Sequence, residues 1–295
     1  MTDRPDIGIV VISYNMAREL PRTLLSLSPG YQTNCPPGRC EIVVVDNGSA
    51  EPPDAKAFAS LGLRLSIHRQ VDPGPSPAAA VNFGLSITRA PLVGVWIDGA
   101  RLASPGLVDA CGRAAQLHPR PVIATVNYHL GPSEQFISML SGYDQHEEDR
   151  LLAGIDWPYG ADRLGEISTQ VWHGGRNGPM LESNALFMPR SLWDEIGGYD
   201  EAFTGPGGGA VNIDTLARAC EAPGTQLVVV EHEGTYHQFH GGTISNGPGR
   251  AIEAAKRLAA EYYRLRRKPL RPVKALRWHF DPRSGSVDKQ IGAGT

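Results

Sequence analysis

Polar side chains that could bind a ligand follow three strand-like runs of the sequence. Ser13-Tyr14-Asn15, Asp46 and Asp98 each come directly after a run of β-branched and other apolar residues. A carboxylate at a strand end can accept the N–H of a nucleotide base in a charge-assisted hydrogen bond. Since ligands bind at the carboxyl ends of parallel strands, these residues are expected to converge on one site. Aspartate also favours turns, so a purely structural interpretation of Asp46 and Asp98 stays open.

The elements that would position these residues alternate between strands and helices. Apolar, largely β-branched runs predict strands at 7–12, 42–45, 63–68 and 92–98. Helices are predicted between them, at about 20–27, 53–60 and 78–88. This order is typical of an α/β fold with a mostly parallel sheet and flanking helices.

The composition predicts one globular domain. The 295 residues, 41% of them hydrophobic, can bury a full core. A net charge of −3 and a pI near 6.3 argue against nucleic acid as a partner. The polar start, residues 1–6, and the lack of a long apolar stretch predict a cytoplasmic protein. Four scattered cysteines favour free thiols, although Cys35 and Cys40 could close a small loop or form half of a metal site.

Signatures of other enzyme classes are missing from the sequence. The first strand is followed by Ser-Tyr-Asn-Met rather than by the glycine-rich turn of a dinucleotide-binding unit. Neither a Walker-type phosphate loop nor the Gly-x-Ser-x-Gly elbow of hydrolases occurs. The sequence therefore favours a nucleotide site built from acids and side-chain amides.

Six sequence blocks resemble the GT-A-fold glycosyltransferases of family 2, which use nucleotide-diphosphate sugars. They occur in order as IVVISYN (9–15), EIVVVDNGS (41–49), AAVNFG (79–84), LVGVWID (92–98), ESNALFMPR (182–190) and IGGYDEAF (196–203). The resemblance implies a single GT-A-like domain at 1–248, with a nucleotide-binding half to about residue 130 and an acceptor half from about 131. A C-terminal helix and basic tail would follow at 249–295.

The resemblance also implies a function and a set of donor-binding residues. The chain would be a glycosyltransferase of hexosyl type that moves a sugar from a UDP-, GDP- or dTDP-linked donor to an unknown acceptor. By position, the base would be cradled by Ser13, Tyr14, Asn15 and Asp46, the ribose or diphosphate would face Asp98, and Asn82 would join the donor site.

The metal-binding motif of the family is altered in this chain. Relatives usually carry Asp-any-Asp, whose last acid binds Mg²⁺ or Mn²⁺ across the donor phosphates, whereas this chain has Ala100 there. Since a leaving diphosphate needs its growing charge offset, we hypothesise that Arg101 or Arg176 replaces the metal.

Late histidines offer an alternative to a metal-free site. Some relatives coordinate their metal through a histidine in this region, so His240 or His237 could bind Mn²⁺ or Mg²⁺ together with Asp98. Imidazole suits Mn²⁺ or Zn²⁺, although two or three ligands are a sparse set. Contact of these histidines with the diphosphate or the acceptor is the competing interpretation.

The general base of the family is altered as well. In inverting relatives it belongs to a Glu-Asp pair, which here falls on Val211-Asn212. Asp214 lies two residues later and could take the proton, or it could simply be a first-turn acid that suits the helix dipole. Glu182 is a further candidate for acceptor contact, unless it pairs with an arginine.

The remaining segments give weaker indications. Aromatic residues within 130–180 could stack on the acceptor or anchor the core. Basic and apolar residues interleaved over 264–278 could contact an anionic membrane peripherally, or wrap the catalytic domain. Two rival functions remain open: a non-catalytic nucleotide-sugar binding protein, favoured by Ala100 and Asn212, and a nucleotidyltransferase, disfavoured by the missing glycine-rich opening loop.

Overall fold

The computed structural model describes residues 4–171, 178–240 and 248–290 of the chain. Its strands are β1 (Ile7–Ser13), β2 (Cys40–Asp46), β3 (Arg64–Arg69), β4 (Leu92–Trp96), β5 (Arg101–Ala103), β6 (Pro121–Leu130), β7 (Ser168–Gln170), β8 (Leu186–Pro189), β9 (Gln226–His237), β10 (Arg277–Phe280) and β11 (Val287–Gln290). Its helices are α1 (Glu19–Ser26), α2 (Ala78–Ile87), α3 (Leu107–Ala114), α4 (Gln135–Ser138), α5 (Gln145–Gly154), α6 (Arg190–Ile196), α7 (Val211–Glu221) and α8 (Pro248–Arg266).

The described strands form a single mixed sheet. Their order is β11-β10-β9-β6-β8-β4-β1-β2-β3, with β5 added to β9 and β7 added to β6. The longest ladders, which join β1 to β2, β2 to β3 and β6 to β9, are parallel. Strand β8 runs antiparallel between β4 and β6. The predicted α/β class with a mostly parallel sheet is confirmed.

The two faces of the sheet carry separate apolar cores. In β1 every residue is buried, and alternate residues face opposite sides: Ile9 and Val11 pack with α1 and α3, whereas Val10 and Ile12 pack with α2 and α7. This alternation follows from the two-residue repeat of a strand, and burial of both faces explains why the strand is continuously apolar. The sheet is therefore a rigid support for the loops at its strand ends.

The predicted elements match the structure closely in the first hundred residues. All four predicted strands are present, and their ends differ by no more than two residues from the predictions. The weak helix predicted at 53–60 is a 3-10 helix at Ala55–Leu61. The thiols of Cys35 and Cys40 are free, and their Sγ atoms lie 3.3 Å apart.

The C-terminal segment is part of the same fold. Strand β10 pairs in parallel with β9, and β11 pairs with β10. Between α8 and β10, Leu270, Val273 and Ala275 pack against the core on the α7 side of the sheet. This arrangement favours the wrapping interpretation of the basic tail. None of the described helices combines the length and apolar character needed to cross a membrane.

Candidate active site

Asp98 and two late histidines form a compact cluster at the end of β4. The Nε2 atom of His237 lies 2.9 Å from Asp98 Oδ2, and the Nε2 atom of His240 lies 3.4 Å from Asp98 Oδ1. The two imidazole Nε2 atoms are 3.1 Å apart. The side chains of these three residues therefore lie close enough together to offer one ligand atom each to a metal ion.

A tight turn after β4 brings the cluster together. Asp98 Oδ1 accepts a hydrogen bond from the backbone N–H of Ala100 at 3.0 Å, which closes the turn. At Gly99 a Cβ atom would lie only 2.4 Å from the carbonyl oxygen of Ile12, so the turn needs glycine there. The chain then enters β5, where Arg101 lies opposite His237 of β9 in antiparallel register.

The segment 237–240 is held at several successive positions. The backbone N–H of Gln238 donates to Ala100 O at 2.8 Å, and that of Phe239 donates to Glu148 Oε2 at 2.5 Å. Gln135 in α4 donates from Nε2 to the His237 carbonyl oxygen at 3.0 Å. These contacts place both imidazoles at the cluster with little freedom, as a ligand-binding site requires.

Burial and the paired charges set the ionisation of the cluster. Burial alone would raise the pKa of Asp98, but His240 and His237 outweigh it and hold that pKa well below its usual range. Burial lowers the pKa of His237 to about 4, despite the neighbouring carboxylate. Burial opposes the charged form of His240 too, but Asp98 raises its pKa above the ordinary value. Near neutral pH, Asp98 is thus a carboxylate and His237 a neutral imidazole.

The geometry and chemistry of the cluster fit a divalent cation. Ligand atoms in adjacent positions around an octahedral ion with bonds of about 2.1 Å lie about 3.0 Å apart. The two imidazole Nε2 atoms are 3.1 Å apart, and they lie 2.9 and 3.4 Å from different oxygens of the Asp98 carboxylate. When the hydrogen of neutral His237 is on Nδ1, its Nε2 lone pair faces the Asp98 carboxylate, and a cation between the two relieves that repulsion. Two nitrogen ligands and one oxygen ligand suit Mn²⁺ or Zn²⁺ better than Mg²⁺.

Arg101 lies beside the cluster as a buried positive charge. The residue is 5% exposed, and Nη1 donates to Asn127 Oδ1 at 2.5 Å. Nη2 lies 3.6 Å from Asp98 Oδ2. Burial lowers the pKa of Arg101, whereas the nearby carboxylates of Asp98 and Glu182 oppose that shift. The Arg101 side chain stays charged, because a guanidinium is not deprotonated in proteins. Arg176, the other candidate for offsetting diphosphate charge, lies outside the described residues.

Glu182 lies on the same side as Arg101 and next to the altered base position. Asn212, in the first turn of α7, donates from Nδ2 to Glu182 Oε2 at 3.2 Å and to Ser183 O at 3.1 Å. The Tyr199 hydroxyl donates to Asn212 Oδ1 at 3.0 Å, so the amide is fixed. Glu182 is half-buried and close enough to act on the charge of Arg101. A carboxylate thus lies directly beside the residue where the family pair falls.

The predicted base-binding residues lie together at the neighbouring strand ends. Ser13 and Asp46 are register partners on β1 and β2, and β1 lies between β2 and β4. Asp46 is buried and accepts hydrogen bonds from the Ser49 hydroxyl and backbone N–H. The Ser49 hydroxyl oxygen accepts from the Asn15 backbone N–H at 2.7 Å. Tyr14 is 56% exposed at the rim.

Two other predicted residues are engaged in structural contacts. Asn82 donates from Nδ2 to Tyr199 O and Glu201 Oε1, both at 2.8 Å, which uses both amide hydrogens. Asp214 is 1% exposed and accepts from Arg218 Nε and from Arg266 Nη2, each at 2.7 Å. These contacts join α2 and α7 to neighbouring elements. Neither residue contacts the Asp98 cluster, and the arginines leave Asp214 poorly placed to accept a proton.

Replacing Asp214 by asparagine is expected to lower stability. Arg218 would lose its buried counter-ion and Arg266 would keep only Asp200, and breaking a buried pair costs about 3 kcal/mol. Glu221→Gln on the same helix is the control, because its exposed pair with Lys268 contributes less than about 1 kcal/mol. Urea-induced unfolding measures the free energy of unfolding of both variants and of the wild type. An Asp214→Asn variant as stable as the wild type, with lost turnover, would instead support Asp214 as the base.

The sequence did not single out several residues that build the site. The His237 ring is held by Gln135, and the Arg101 guanidinium is held by Asn127. The backbone N–H of Phe239 is held by Glu148. Gln135 and Glu148 fall in an aperiodic stretch, where no local pattern separates a buried polar residue from an exposed one. For Asn127 one signal was available, since a polar residue interrupts the largely apolar strand β6.

Comparisons with known proteins identify chains of similar sequence. Residues 8–134 match the sequence profile of glycosyl transferase family 2. Validoxylamine A glucosyltransferase from Streptomyces hygroscopicus subsp. limoneus is 29% identical over 231 residues, which are 75% of this chain and 49% of that protein. Its counterpart from subsp. jinggangensis is also 29% identical, over 75% of this chain and 53% of that protein. The chain spans about half the length of these curated relatives.

Solved structures share the fold at low sequence identity. S. aureus TarS 1-349 in complex with UDP-GlcNAc has a TM-score of 0.53 and 13% identity, covering 88% of this chain and 66% of that one. The mannosyltransferase PcManGT from Pyrobaculum calidifontis, in complex with GDP-Man and Mn²⁺, has a TM-score of 0.55 and 17% identity, covering 92% and 67%. Residues 8–134 therefore carry the sequence profile of glycosyl transferase family 2, and the chain adopts the GT-A fold of these structures.

Proposed function

We propose that this chain transfers a sugar from a nucleotide-diphosphate sugar to an acceptor hydroxyl, with a divalent metal ion at the donor site. The observation that carries the proposal is the convergence of Asp98, His237 and His240 at the end of β4. The base-binding residues lie at the adjacent ends of β1 and β2. Strand β1 lies between β2 and β4, so the ends of β2 and β4 are two strand spacings apart, each of about 4.8 Å. This separation gives room for a nucleoside between the base site and the diphosphate site.

Asp98, His237 and His240 would hold the metal ion. Bound there, the ion supplies positive charge to the donor diphosphate. Mn²⁺ is the favoured ion, because the ligand set includes two imidazoles and PcManGT was solved with Mn²⁺. UDP-, GDP- and dTDP-linked sugars are all candidate donors, and the solved neighbours bind UDP-GlcNAc and GDP-Man.

Arg101 would act on the donor diphosphate, and Glu182 would act on the acceptor hydroxyl. Arg101 would offset charge that develops on the leaving diphosphate, in a buried setting where such stabilisation is strong. Glu182 would accept the proton of the acceptor hydroxyl. The hydroxyl oxygen then bonds the anomeric carbon, and the bond between that carbon and the diphosphate oxygen breaks. Asn212, hydrogen-bonded to the carboxylate, would orient it.

Release of nucleoside diphosphate tests the proposed activity. The chain would be incubated with UDP-glucose, GDP-mannose and dTDP-glucose, with Mn²⁺ or EDTA, and the products separated by chromatography. We expect slow Mn²⁺-dependent hydrolysis of one donor even without acceptor, because water can replace the hydroxyl. Tight binding without release would indicate a non-catalytic binding protein. Pyrophosphate release from a nucleoside triphosphate would indicate a nucleotidyltransferase.

The acceptor would bind over the segment that follows β6. Trp157 is half-buried, and its indole N–H lies 3.4 Å from the Tyr31 hydroxyl, which suits a core anchor. Tyr159, two residues later, is 88% exposed and has an open ring face. Aromatic rings stack on the apolar faces of sugars, so Tyr159 is the stronger candidate for acceptor contact in this segment. Trp172 and His173 lie outside the described residues.

Peripheral contact with an anionic membrane stays a prediction for the exposed cations of the C-terminal segment. Arg267, Arg271 and Lys274 are exposed, and each cation near a membrane surface contributes about 1 kcal/mol. We expect weak, salt-sensitive sedimentation with phosphatidylserine vesicles, lost in the double variant Arg271→Glu/Lys274→Glu. Lys56→Glu, an exposed position elsewhere, changes the net charge as much as Arg271→Glu or Lys274→Glu alone and is the control for these two single variants. Equal sedimentation of the wild type and the double variant would contradict the prediction.

A further inference from the structure

We propose that Gln135 is a positioning residue that fixes the tautomer of His237 and so completes the metal site before any nucleotide binds. The inference rests on the proposed metal-dependent function. It concerns the residue behind His237, on the side of the ring opposite Asp98. Nothing in the sequence pattern around Gln135 indicated such a role.

Gln135 makes two hydrogen bonds to the same histidine. Its Nε2 donates to the His237 carbonyl oxygen at 3.0 Å, and its Oε1 lies 2.6 Å from the His237 Nδ1. The side chain is 1% exposed, so water cannot replace either partner. A carbonyl oxygen only accepts, so the amide N–H₂ must face it. The reversed amide would oppose two oxygens and lose a buried hydrogen bond.

The orientation of the amide determines which imidazole nitrogen carries the proton. With Oε1 as the acceptor, His237 Nδ1 must be the donor. In a neutral imidazole the hydrogen on Nδ1 leaves Nε2 with a free lone pair. That Nε2 atom is the one 2.9 Å from Asp98 Oδ2 and 3.1 Å from His240 Nε2. Gln135 therefore directs the His237 lone pair into the cluster.

The fold holds Gln135 in its place. It is the first residue of α4, and its backbone N–H donates to His129 Nδ1 at 3.0 Å. His129 belongs to β6, which pairs with β9 so that His129 and His237 are register partners. The sheet thus positions both the histidine and the helix that orients it. All three ligands come from the protein, so a metal ion can bind before the donor arrives.

Metal titration without nucleotide tests the inference. Binding of Mn²⁺ would be followed by electron paramagnetic resonance in the wild type, Gln135→Met and Gln135→Glu. Methionine fills the space but accepts no hydrogen bond, and loss of such an outer partner weakens metal affinity about 10- to 100-fold. Glutamate keeps an acceptor for Nδ1 but places its second oxygen against the His237 carbonyl oxygen, so it is expected to recover part of the lost affinity. Gln145→Met is the control, since the Gln145 amide contacts Glu19 and not the histidines.

A second measurement separates positioning from a general structural effect. Nitrogen-15 NMR of the metal-free protein should show His237 protonated at Nδ1 in the wild type and a tautomer mixture in Gln135→Met. If the wild type binds no Mn²⁺ at all, the proposed metal site is wrong. If the wild type binds Mn²⁺, and Gln135→Met binds it equally well and shows the same His237 tautomer, the proposed role of Gln135 is contradicted.

Discussion

The Asp98→Asn variant is expected to lose both Mn²⁺ binding and sugar transfer. The substitution keeps the size of the side chain but removes the only carboxylate of the cluster, leaving two neutral ligands for a dication. Loss of a metal that stabilises the leaving diphosphate should lower turnover about 100- to 1,000-fold, as removal of a strong electrostatic contact does. Nucleoside diphosphate release with saturating donor and Mn²⁺ measures this, with Asp162→Asn as an exposed control.

The Asp98→Asn variant also distinguishes a donor site that depends on a metal ion from one that works without it. If Arg101 alone neutralised the diphosphate, the Asp98 carboxylate would only repel the donor. Asp98→Asn would then bind nucleoside diphosphate more tightly than the wild type in EDTA. Tighter binding with retained turnover would therefore contradict the metal site and restore Arg101 as its replacement.

The Glu182→Gln variant is expected to bind donor and Mn²⁺ normally but to transfer the sugar 100- to 10,000-fold more slowly, roughly the contribution of a general base. Glutamine preserves the contact with Asn212 but cannot take a proton from the acceptor. Because the acceptor is unidentified, single-turnover hydrolysis of the donor is the first assay, and transfer follows once an acceptor is found. Unchanged turnover would place the base on another residue.

The neighbouring amide offers a sharper version of this test. Glu182 and Asn212 are hydrogen-bonded at 3.2 Å, so the double variant Glu182→Gln/Asn212→Asp exchanges carboxylate and amide. The carboxylate then occupies the position where family relatives carry their acidic pair. We expect about a tenfold recovery over Glu182→Gln, because a base must lie within hydrogen-bond reach of the reacting proton. No recovery, with a folded protein, would show that a carboxylate at position 212 cannot act as the base.

Local patterns were sufficient to predict the framework of the nucleotide half. The run at β1 is β-branched and buried on both faces, so its sequence specifies a central parallel strand without tertiary information. Asp46 and Asp98 follow such runs directly, and parallel strands place their carboxyl ends at one edge. The predicted neighbourhood of these acids therefore required only the alternation of strands and helices.

The fine structure of the site depends on long-range pairing that no local pattern contains. His237 meets Asp98 because β5 pairs with the end of β9 in one particular register. Asp214 looked like a helix-start acid available for chemistry, but Arg266, 52 residues later, reaches back to bind it. The choice between His237 and His240 was likewise open in the sequence, and the structure brings both to Asp98.

Calorimetric titration of UDP, GDP and dTDP, each with Mn²⁺ and again with EDTA, tests the central claim most directly. The claim is that Asp98, His237 and His240 hold a metal ion to which the donor diphosphate binds. One nucleotide should bind in Mn²⁺ and lose most of its affinity in EDTA, and His237→Ala should show the EDTA behaviour under both conditions. Full affinity of the wild type in EDTA would contradict the claim.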